Sequence, residues 1–504
     1  MAKTKTGGAS TEQKTKYKNT GETNDALREL PIGRRIPYLD GHAFNYDHHS
    51  VLNNAVGVVE AMFTDKDGNR TLHQYQGQLY KFQANTHEWL PMPSEVLHRG
   101  VWDLLDREAK TFSADETTGL LKEERIKINL RLVNEIITAM RGLLFLNTQG
   151  YPLPITVKGI LPLENRVVGR RKTVSITTGQ SEDTSPAVFT LNTLPFDLDL
   201  DAEPPERWLQ FLDEVFPGDP DAIKLLQEWI GYIVSGRTDM QKAMFIVGPK
   251  RSGKGTICNV IKELVGPRNY GASSLVQIAG RFGLAGLIDK SIAVMSDVRV
   301  DTKHKLGAAT TERILTVTGE DTIAVERKGI DDVHVKLGVR LMMTTNELPP
   351  FDDISGALVS RLLTLEMRES FYGKEDTELL ADLRAELPGI MRWAVEGLKR
   401  LDHRGCFTEP ESGRGAREQL SLAGSPVRAW LDECCELDPN AETATESVRA
   451  SYVNWCSLNG ITPVQPTTFG KDLKAATGGA VERKGRDGNT RRVYVGLRLN
   501  EQHS

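Results

Sequence analysis

The stretch Ala243-Met-Phe-Ile-Val-Gly-Pro-Lys-Arg-Ser-Gly-Lys-Gly-Thr256 decides the fold of the chain around it. Its apolar run at 243–247 predicts a buried strand. Apolar residues then recur at helical spacing (257, 260, 261 and 264), which predicts a helix from about 253 to 265. A glycine loop between a strand and a helix directs backbone N–H groups and the positive end of the helix dipole into one concavity. The stretch therefore predicts a loop that binds nucleotide phosphates.

The predicted nucleotide-binding residues are those of the loop, namely Gly248, Pro249, Lys250, Arg251, Ser252, Gly253, Lys254, Gly255 and Thr256. Lys254 can reach the outer phosphates. The strict pattern has Ser or Thr directly after the lysine, whereas here Gly255 stands there and Thr256 follows. Thr256 is therefore the predicted Mg²⁺ ligand if the loop tolerates a shift of one position. A plain glycine turn is the alternative, and the flanking strand and helix favour phosphate binding.

Composition limits the classes of protein that fit. The 504 residues suggest two to four domains, and the net charge of −5 excludes a global basic field, so any nucleic-acid surface must be local. The five cysteines show no Cys-x-x-Cys spacing and no secretory signal is present, which indicates reduced thiols, no zinc site and a cytosolic protein. No apolar run approaches the ~18 residues of a membrane helix, so no membrane partner is expected.

Two further apolar runs predict central strands of a parallel sheet. One ends at Asp297 and the other at Asn346. Such strands present their last residues at the carboxyl edge of the sheet, beside the phosphate loop. Asp297 is expected to hold Mg²⁺ through water, and Asn346 to position the attacking water. For each residue alone, capping of a strand end is the alternative.

The segment between and after these strands carries basic residues at defined places. Alternating Ile323/Val325 and Val333/Val335 predict a hairpin with Arg327 and Lys328 near its tip. Arg361 lies just beyond the strand that ends at Asn346. An arginine there can reach across a subunit interface to a neighbour's nucleotide.

In this order the motifs resemble those of superfamily 3 helicases. They are Gly-Pro-Lys-Arg-Ser-Gly-Lys-Gly-Thr, the strand ending at Asp297, the Gly-Glu-Asp…Arg-Lys hairpin, Thr-Thr-Asn-Glu-Leu-Pro and Ser-Gly-Ala-Leu-x-Ser-Arg. The chain is most similar to the phage and plasmid primase-helicases, including the lead-in at 216–220 and 231–232. The resemblance covers about residues 205 to 400, with weaker similarity back to about residue 75.

This resemblance implies an AAA+-like P-loop ATPase that uses ATP and Mg²⁺ and works as a ring, commonly a hexamer, around DNA. It implies that Lys254 grips phosphate, Asp297 serves Mg²⁺ and Asn346 senses the γ-phosphate. It further implies that Lys328 touches DNA and that Arg361 is the arginine finger. Val298 follows Asp297, so the second acid of many relatives is missing and the general base is unassigned. A separate primase or other replication proteins are implied partners, because no primase domain is evident.

The remaining chain divides by composition. We expect a disordered tail at 1–36, an α+β accessory region at 37–200, the ATPase domain at 201–405, a linker at 406–425 and a winged-helix DNA-binding domain at 426–504. The basic run at 166–172 favours a solvated face over a nucleic-acid patch. The alternating aspartates at 197, 199 and 201 favour a polar domain boundary over a two-metal site, because a linker composition follows at once.

The C-terminal part predicts two helices, a third helix with Lys471 and Lys474, and a basic hairpin. Residues 467–498 hold eight Lys or Arg and three acids, 8 − 3 = +5. This excess favours contact with the DNA backbone over a solvated hairpin. The expected DNA-binding residues of the hairpin are Arg483, Lys484, Arg486, Arg491 and Arg492.

Three functions fit these patterns. The favoured one is an ATP-dependent DNA helicase in phage- or plasmid-type replication, in the cytoplasm of a bacterial host or phage-infected cell. The second is a DNA-binding initiator or loader that uses ATP as an assembly switch without unwinding. The third is a nucleoside monophosphate kinase, which the loop also suits. Such kinases carry the loop near the N-terminus and lack a basic DNA-binding tail.

Overall fold

The computed structural model describes residues 35–36, 43–114, 121–148, 153–157, 161–162, 166–296, 308–328, 330–347, 356–485 and 492–500. The expectations for the N-terminal tail up to residue 34 and for Asp297, Arg486 and Arg491 lie outside the described residues. The chain forms two compact units. The first holds Met1–Gln83 with Trp89–Asn147, and the second holds Ala84–Glu88 with Thr148–Ser504.

The first unit is α+β, as the accessory region was expected to be. Its helices are Val51–Phe63, Ser94–Glu108 and Leu130–Leu143. One sheet has the order Arg35–Ile36, Ala43–Asn45, Ala109–Ala114, Leu121–Arg125, and a second has the order Leu72–Tyr75, Gln78–Gln83, Glu88–Pro91. The predicted strands at 79–82 and 87–90 belong to the second sheet. Phe44, Val58, Leu97 and Ile136 are among the side chains of its single core.

The centre of the second unit is a five-stranded parallel sheet. Its order is Tyr270–Ala272, Ile292–Met295, Arg340–Thr345, Ala243–Val247, Leu362–Glu366. The predicted strands are confirmed at 243–247, 292–295 and 340–345, and each is buried along its length, as continuous apolar runs require. The strand at 340–345 lies between the other two, so the loop at 248, Ser296 and Asn346 leave the same edge side by side.

Side-chain alternation divides this sheet between two cores. Met244, Ile246 and Val294 face one core with the helices Glu206–Val215, Pro220–Val234, Lys254–Val265 and Leu387–Arg404. Phe245 and Met295 face the other core. The second core is completed by the helices Leu275–Ala279, Ala308–Thr318 and Ala357–Arg361, the 3-10 turn Ala285–Leu287 and the hairpin Thr322–Arg327/Ile330–Lys336. The helix Leu379–Ala385 follows the last strand of the sheet.

The boundary between the units differs from the expected position at residue 200. The strands Ile155–Thr156, Leu161–Pro162, Arg166–Val168, Lys172–Ser175, Ser181–Asp183 and Val188–Phe189 all belong to the second unit. Apolar packing and hydrogen bonds make the connection. Val167, Val174 and Leu194 belong to the hydrophobic core that contains the helices Glu206–Val215 and Pro220–Val234. Asn269 Nδ2 donates to the carbonyl of Thr193 at 3.0 Å, and Ser291 Oγ donates to Asn192 Oδ1 at 2.7 Å. The small β module is thus tied to loops of the parallel sheet.

The charged residues of this β module pair with each other. Arg171 Nε lies 2.6 Å from Asp197 Oδ2, and Lys172 Nζ lies 2.5 Å from Asp183 Oδ1. Asp199 Oδ1 accepts a hydrogen bond from the backbone N–H of Asp201 at 2.9 Å. These contacts agree with a solvated basic face, and the aspartates at 197, 199 and 201 lie inside the second unit and not at a boundary.

The segment 406–425, expected as a linker, contains the helix Ser412–Gly424. The helix packs on the strand Leu362–Glu366, and at Gly413 an added Cβ would stand 2.3 Å from the carbonyl oxygen of Thr364. Ala416 and Leu420 are buried below it. Positions 413, 416 and 420 share one face of the helix. The Gly, Arg and Ser residues around them made the segment read as a linker in the sequence.

The C-terminal segment forms three helices and a small sheet. The helices are Pro426–Cys434, Thr445–Leu458 and Pro466–Ala476, and the antiparallel sheet has the order Glu442–Ala444, Arg492–Val495, Glu482–Gly485. A pair Cys435–Glu436/Arg498–Leu499 closes the segment. The core is aromatic, with the rings of Tyr452 and Phe469 4.7 Å apart beside Trp430. The chain as described is a mixed α/β protein with a parallel sheet and this helix-and-hairpin segment.

Candidate functional site

A cavity of about 620 Å³ opens at the carboxyl edge of the parallel sheet. Its lining includes loop residues 250–256, Ser296, Thr344, Thr345 and Asn346. Lys254 and Thr256 follow one strand in the sequence and Asn346 follows another. The fold brings all three into the lining of the same cavity. The volume lies in the range of small-molecule sites.

The loop has the backbone that a phosphate site requires. Gly253 has φ +99°, and an added Cβ there would meet Val215 Cγ1 at 3.0 Å and Phe211 Cζ at 3.1 Å. The helix Lys254–Val265 starts directly after this glycine, and no side chain caps it. The N–H groups of its first turn have no partner within the helix. They are thus available, together with the helix dipole, to an anion.

Lys254 folds back onto the loop. Its Nζ donates to the carbonyls of Gly248 and Pro249, both at 2.7 Å, and to Ser252 Oγ at 3.1 Å. Phosphate oxygens form stronger charge-assisted hydrogen bonds with an ammonium than these neutral oxygens do. The side chain is therefore held at the loop with acceptors that a phosphate can replace.

A segment that the sequence analysis did not identify holds the loop in place. Ser370 Oγ donates to the carbonyl of Lys250 at 2.8 Å, and Phe371 N–H donates to the carbonyl of Arg251 at 2.9 Å. Gly248 lies so close to the following strand end that an added Cβ would stand 2.6 Å from the Met367 carbonyl. Arg251 itself has φ +61°, a left-handed conformation that these contacts maintain.

The far wall of the cavity contains Arg207, which the sequence analysis also missed. Its guanidinium lies 3.4 Å from Glu214 Oε1 and 3.1 Å from Asp376 Oδ2. The hydrogen bond from Arg207 lowers the pKa of Asp376 below its ordinary value. Phe211, Phe371 and Leu379 line the same side. Arg207 and Asp376 are 169 positions apart, so no local sequence pattern predicts that they meet. The glycine turn at residue 373 was the only local signal in the sequence near Asp376.

The described oxygens that could serve Mg²⁺ on the loop side are those of Thr256, Ser296 and Asn346. An added Cβ at Gly255 would meet nothing within 4 Å, so the side chain missing there leaves open space. In the described part of the chain, no three or more His, Cys, Asp or Glu side chains are grouped so that they could hold a metal ion. The fourth expected group, Asp297, lies outside that part, one residue beyond Ser296.

Arg361 stands at the opposite edge of the sheet. The strands Ala243–Val247 and Leu362–Glu366 run parallel, paired from Ala243↔Leu362 to Val247↔Glu366. Arg361 precedes the first pair and the loop follows the last, which is six residue steps or roughly 20 Å at ~3.3 Å per residue. Its Nη1 donates to the carbonyl of Leu315 at 2.5 Å and to Thr318 Oγ1 at 3.0 Å.

The predicted hairpin forms with the expected register, Ile323 opposite Val335 and Val325 opposite Val333. Lys328 is exposed at its tip, and Arg327 ends its first strand half-buried. Lys336 Nζ lies 3.0 Å from Glu320 Oε1 at the base. Neither Arg327 nor Lys328 is among the residues that line the cavity.

The C-terminal basic residues also point outward. Lys471 and Lys474 are exposed on the helix Pro466–Ala476, whose Phe469 and Leu473 are buried. Arg483, Lys484 and Arg492 are exposed on the strands Glu482–Gly485 and Arg492–Val495, and we name these three residues the basic wing. Arg486 and Arg491 lie outside the described residues.

Comparison with known proteins gives two family matches. Residues 425–501 match the RFX DNA-binding domain, and residues 246–361 match a family of unknown function, DUF5906. The first match spans the helix-and-hairpin segment, which is thus similar to that winged-helix domain. The second runs from the phosphate-loop strand to Arg361. No curated protein matches the chain.

Solved structures give low-identity matches. The chain is similar to the A form apo structure of NrS-1 C terminal region-CTR, with 12% identity, 83% of this chain and 94% of that chain covered, and a TM-score of 0.44. It is similar to the apo structure of NrS-1 C terminal region, with 13% identity, 86% and 95% covered, and a TM-score of 0.41. No helix in the described ranges is long and apolar enough to cross a membrane.

Proposed function

We propose that the chain is an ATP-dependent DNA helicase of phage- or plasmid-type replication, acting as a ring with composite ATP sites. The observation that carries this proposal is the cavity that gathers Lys254, an uncapped helix N-terminus, Thr256 and Asn346 at one sheet edge. These are the groups that bind and position a nucleoside triphosphate for attack by water.

Each group has a distinct part in hydrolysis. Lys254 and the N–H groups of the first helical turn bind the outer phosphates and stabilise the charge that develops there. Asn346 orients the attacking water from the adjacent strand end. Thr256 and Asp297 would hold Mg²⁺, which neutralises charge on the phosphates when bound. The mixed lining of Arg207, Phe211 and Phe371 suits the nucleoside end of ATP.

The position of Arg361 supports a ring. An arginine whose backbone lies roughly 20 Å from its own phosphate loop, at the other edge of the sheet, does not reach its own nucleotide. If Arg361 acts in hydrolysis, it acts on the nucleotide of a neighbouring subunit. Release from Leu315 and Thr318 is then part of forming the composite site.

Two surfaces support DNA as the partner. The helix-and-hairpin segment is similar to the RFX DNA-binding domain and exposes Lys471, Lys474 and the basic wing. Lys328 provides a cation on a second surface, at the tip of a separate two-stranded sheet whose strand Ile330–Lys336 leads into the central strand Arg340–Thr345. We assign initial duplex binding to the first surface and strand separation to the second.

The same observations support a second candidate, an ATP-switched initiator or loader without unwinding. The similarity of residues 425–501 to a DNA-binding domain favours this candidate most directly, because duplex binding alone satisfies it. The two functions differ in whether hydrolysis separates strands.

The test combines two assays on the purified chain. ATP hydrolysis is measured with and without DNA, and strand displacement is measured on a forked duplex with ATP or with a non-hydrolysable analogue. The helicase proposal requires DNA-stimulated hydrolysis and displacement with ATP only. Stimulated hydrolysis without displacement assigns the initiator, and absence of ATP turnover under both conditions refutes the helicase.

A further inference from the structure

One face of the helix Glu206–Val215 lines the nucleotide cavity. Arg207, Phe211 and Glu214 follow one another at helical spacing, which places them on the same side of the helix. All three belong to the lining of the cavity, whereas the neighbouring Asp213 is exposed and does not. The cavity therefore meets one defined face of this helix.

The C-terminal end of this helix lies against the phosphate loop. An added Cβ at Gly253 of the loop would stand 3.0 Å from Val215 Cγ1 and 3.1 Å from Phe211 Cζ. Glu214 lies between these two contacts in the chain. Arg207 precedes it by seven residues, which is about 10 Å along the helix axis at ~1.5 Å per residue. A nucleotide held at the loop by its outer phosphates therefore reaches Glu214 before it reaches Arg207.

Two other carboxylates line this wall, and both are engaged by the protein. Asp376 Oδ1 accepts hydrogen bonds from two backbone N–H groups, at 3.0 and 3.1 Å, and its Oδ2 lies 3.1 Å from Arg207 Nη2. Glu375 Oε1 lies 3.5 Å from Arg251 Nε, and backbone N–H groups that bond to Glu375 lower the pKa of its carboxyl. These contacts hold the turn that carries Asp376 and Glu375 against the helix and the loop.

Glu214 keeps one oxygen for a ligand. Its Oε1 accepts a hydrogen bond from Gln210 Nε2 at 2.9 Å and another from Arg207 Nη1 at 3.4 Å. Its Oε2 receives no hydrogen bond from another residue in the described part of the chain. Carboxylate oxygens only accept hydrogen bonds, and a phosphate beside them is repelled. The ligand group that suits Oε2 is therefore an uncharged donor.

We propose that Glu214 Oε2 accepts a hydrogen bond from the ribose 2′-hydroxyl, so that the cavity selects ribonucleoside over 2′-deoxyribonucleoside triphosphates. The proposal rests on the proposed function, because it concerns the sugar of the same nucleotide. The ribose directly follows the phosphates, which matches the position of Glu214 beside the loop. The amino group of adenine is the other uncharged donor of ATP, and it lies at the end of the nucleotide farthest from the phosphates. A site that hydrogen-bonds a substrate hydroxyl rejects the analogue that lacks it, because the polar group of the site then loses its partner.

The experiment measures kcat/KM of the full chain for ATP and for dATP. Wild type should prefer ATP by about 10-fold, the scale for one hydrogen bond to a charged group that is 36% exposed. Glu214→Ala should lower the value for ATP to that for dATP and leave the value for dATP unchanged. Glu214→Gln should keep part of the preference, because an amide oxygen still accepts a weaker, neutral hydrogen bond. Asp213→Ala is the matched control and should keep the whole preference, since Asp213 is an exposed acid of the same helix outside the cavity.

The outcomes separate this proposal from the function beneath it. If wild type hydrolyses neither nucleotide, the proposed function fails and the ribose contact with it. If wild type hydrolyses ATP and dATP equally well, only the ribose contact is overturned. An equal loss for both nucleotides in Glu214→Ala overturns it in favour of a purely structural role. Purine riboside triphosphate, which lacks the amino group of adenine, is the last comparison. If Glu214→Ala loses the preference for ATP over this analogue but keeps the preference over dATP, the carboxylate contacts the base and the proposal is overturned.

Discussion

Replacing Lys254 with alanine removes the lysine whose ammonium group the loop holds by hydrogen bonds at the phosphate site. The structure gives its Nζ three acceptors within the loop, two carbonyls at 2.7 Å and a hydroxyl at 3.1 Å. These hydrogen bonds are exposed or only partly buried, so the free energy of unfolding is expected to fall by only ~1 kcal/mol. Loss of a preorganised donor to the transition state is larger, about 3–4 kcal/mol, or ~100- to 1,000-fold in kcat.

The assay is steady-state phosphate release by the purified variant, with a thermal melt to confirm folding. Lys262→Ala is the matched control, because Lys262 lies on the same helix, exposed, with its Nζ 5.9 Å from the centre of the Tyr270 ring and away from the cavity. Lys262→Ala should turn over like wild type. Turnover by folded Lys254→Ala within about threefold of wild type would refute the assignment of the loop, since no effect of the expected size could then be attributed to that charge.

Four further predictions concern the ring, the two DNA surfaces and the first compact unit. Arg361→Ala should reduce hydrolysis on the order of 10³-fold while ATP binding persists. Mixing it with Lys254→Ala subunits should restore some turnover, and a mixture no more active than its parts argues against shared sites. Lys328→Ala should keep basal hydrolysis but lose strand displacement. Neutralising the basic wing should weaken duplex binding. The slope of log affinity against log salt concentration should become less steep by up to ~2.7, at ~0.9 for each of three phosphate contacts. An unchanged slope would show that the wing makes no contact with DNA phosphates. Burial lowers the pKa of His73 to about 4. The neutral imidazole therefore contributes to the free energy of unfolding above pH ~6.5, and this contribution is lost as the pH falls through 4. It amounts to at most about 3 kcal/mol. Denaturation can be followed by the fluorescence of Trp89, whose ring centre lies 5.2 Å from that of His73. The free energy of unfolding should decrease as the pH falls in wild type and decrease less in His73→Gln. The same pH dependence in both proteins would contradict this prediction.

The sequence alone determined the elements that local patterns encode. Continuous apolar runs fixed the buried strands at 243–247, 292–295 and 340–345, because only strands covered on both faces tolerate that composition. Alternation fixed the hairpin and its register, since a slip by one residue would turn every apolar side chain to the wrong face. Glycines and helical spacing located the phosphate loop and the helix behind it.

Local patterns failed in two places. Composition predicts a linker where the helix Ser412–Gly424 lies, because Gly413 and Ala416 on its buried face are small and only Leu420 there is a large apolar residue. The boundary expected at 200 differs from the observed one because Val167, Val174 and Leu194 of the β module share a hydrophobic core with the second unit. Asn269 and Ser291 add hydrogen bonds to Thr193 and Asn192. Contacts between residues so far apart in the chain have no local periodicity.

Only the tertiary structure decided which residues meet. Parallel pairing brings the loop and Asn346 to one edge and sends Arg361 to the other, and strand order is a property of the whole sheet. Arg207 meets Asp376 across 169 positions, and Phe371 holds Arg251 across a similar span. Such contacts leave no trace in a local window, because the energy that forms them comes from packing of the complete core. The sequence thus specified the phosphate loop itself, while the fold specified the walls around it and the edge from which a neighbour can act.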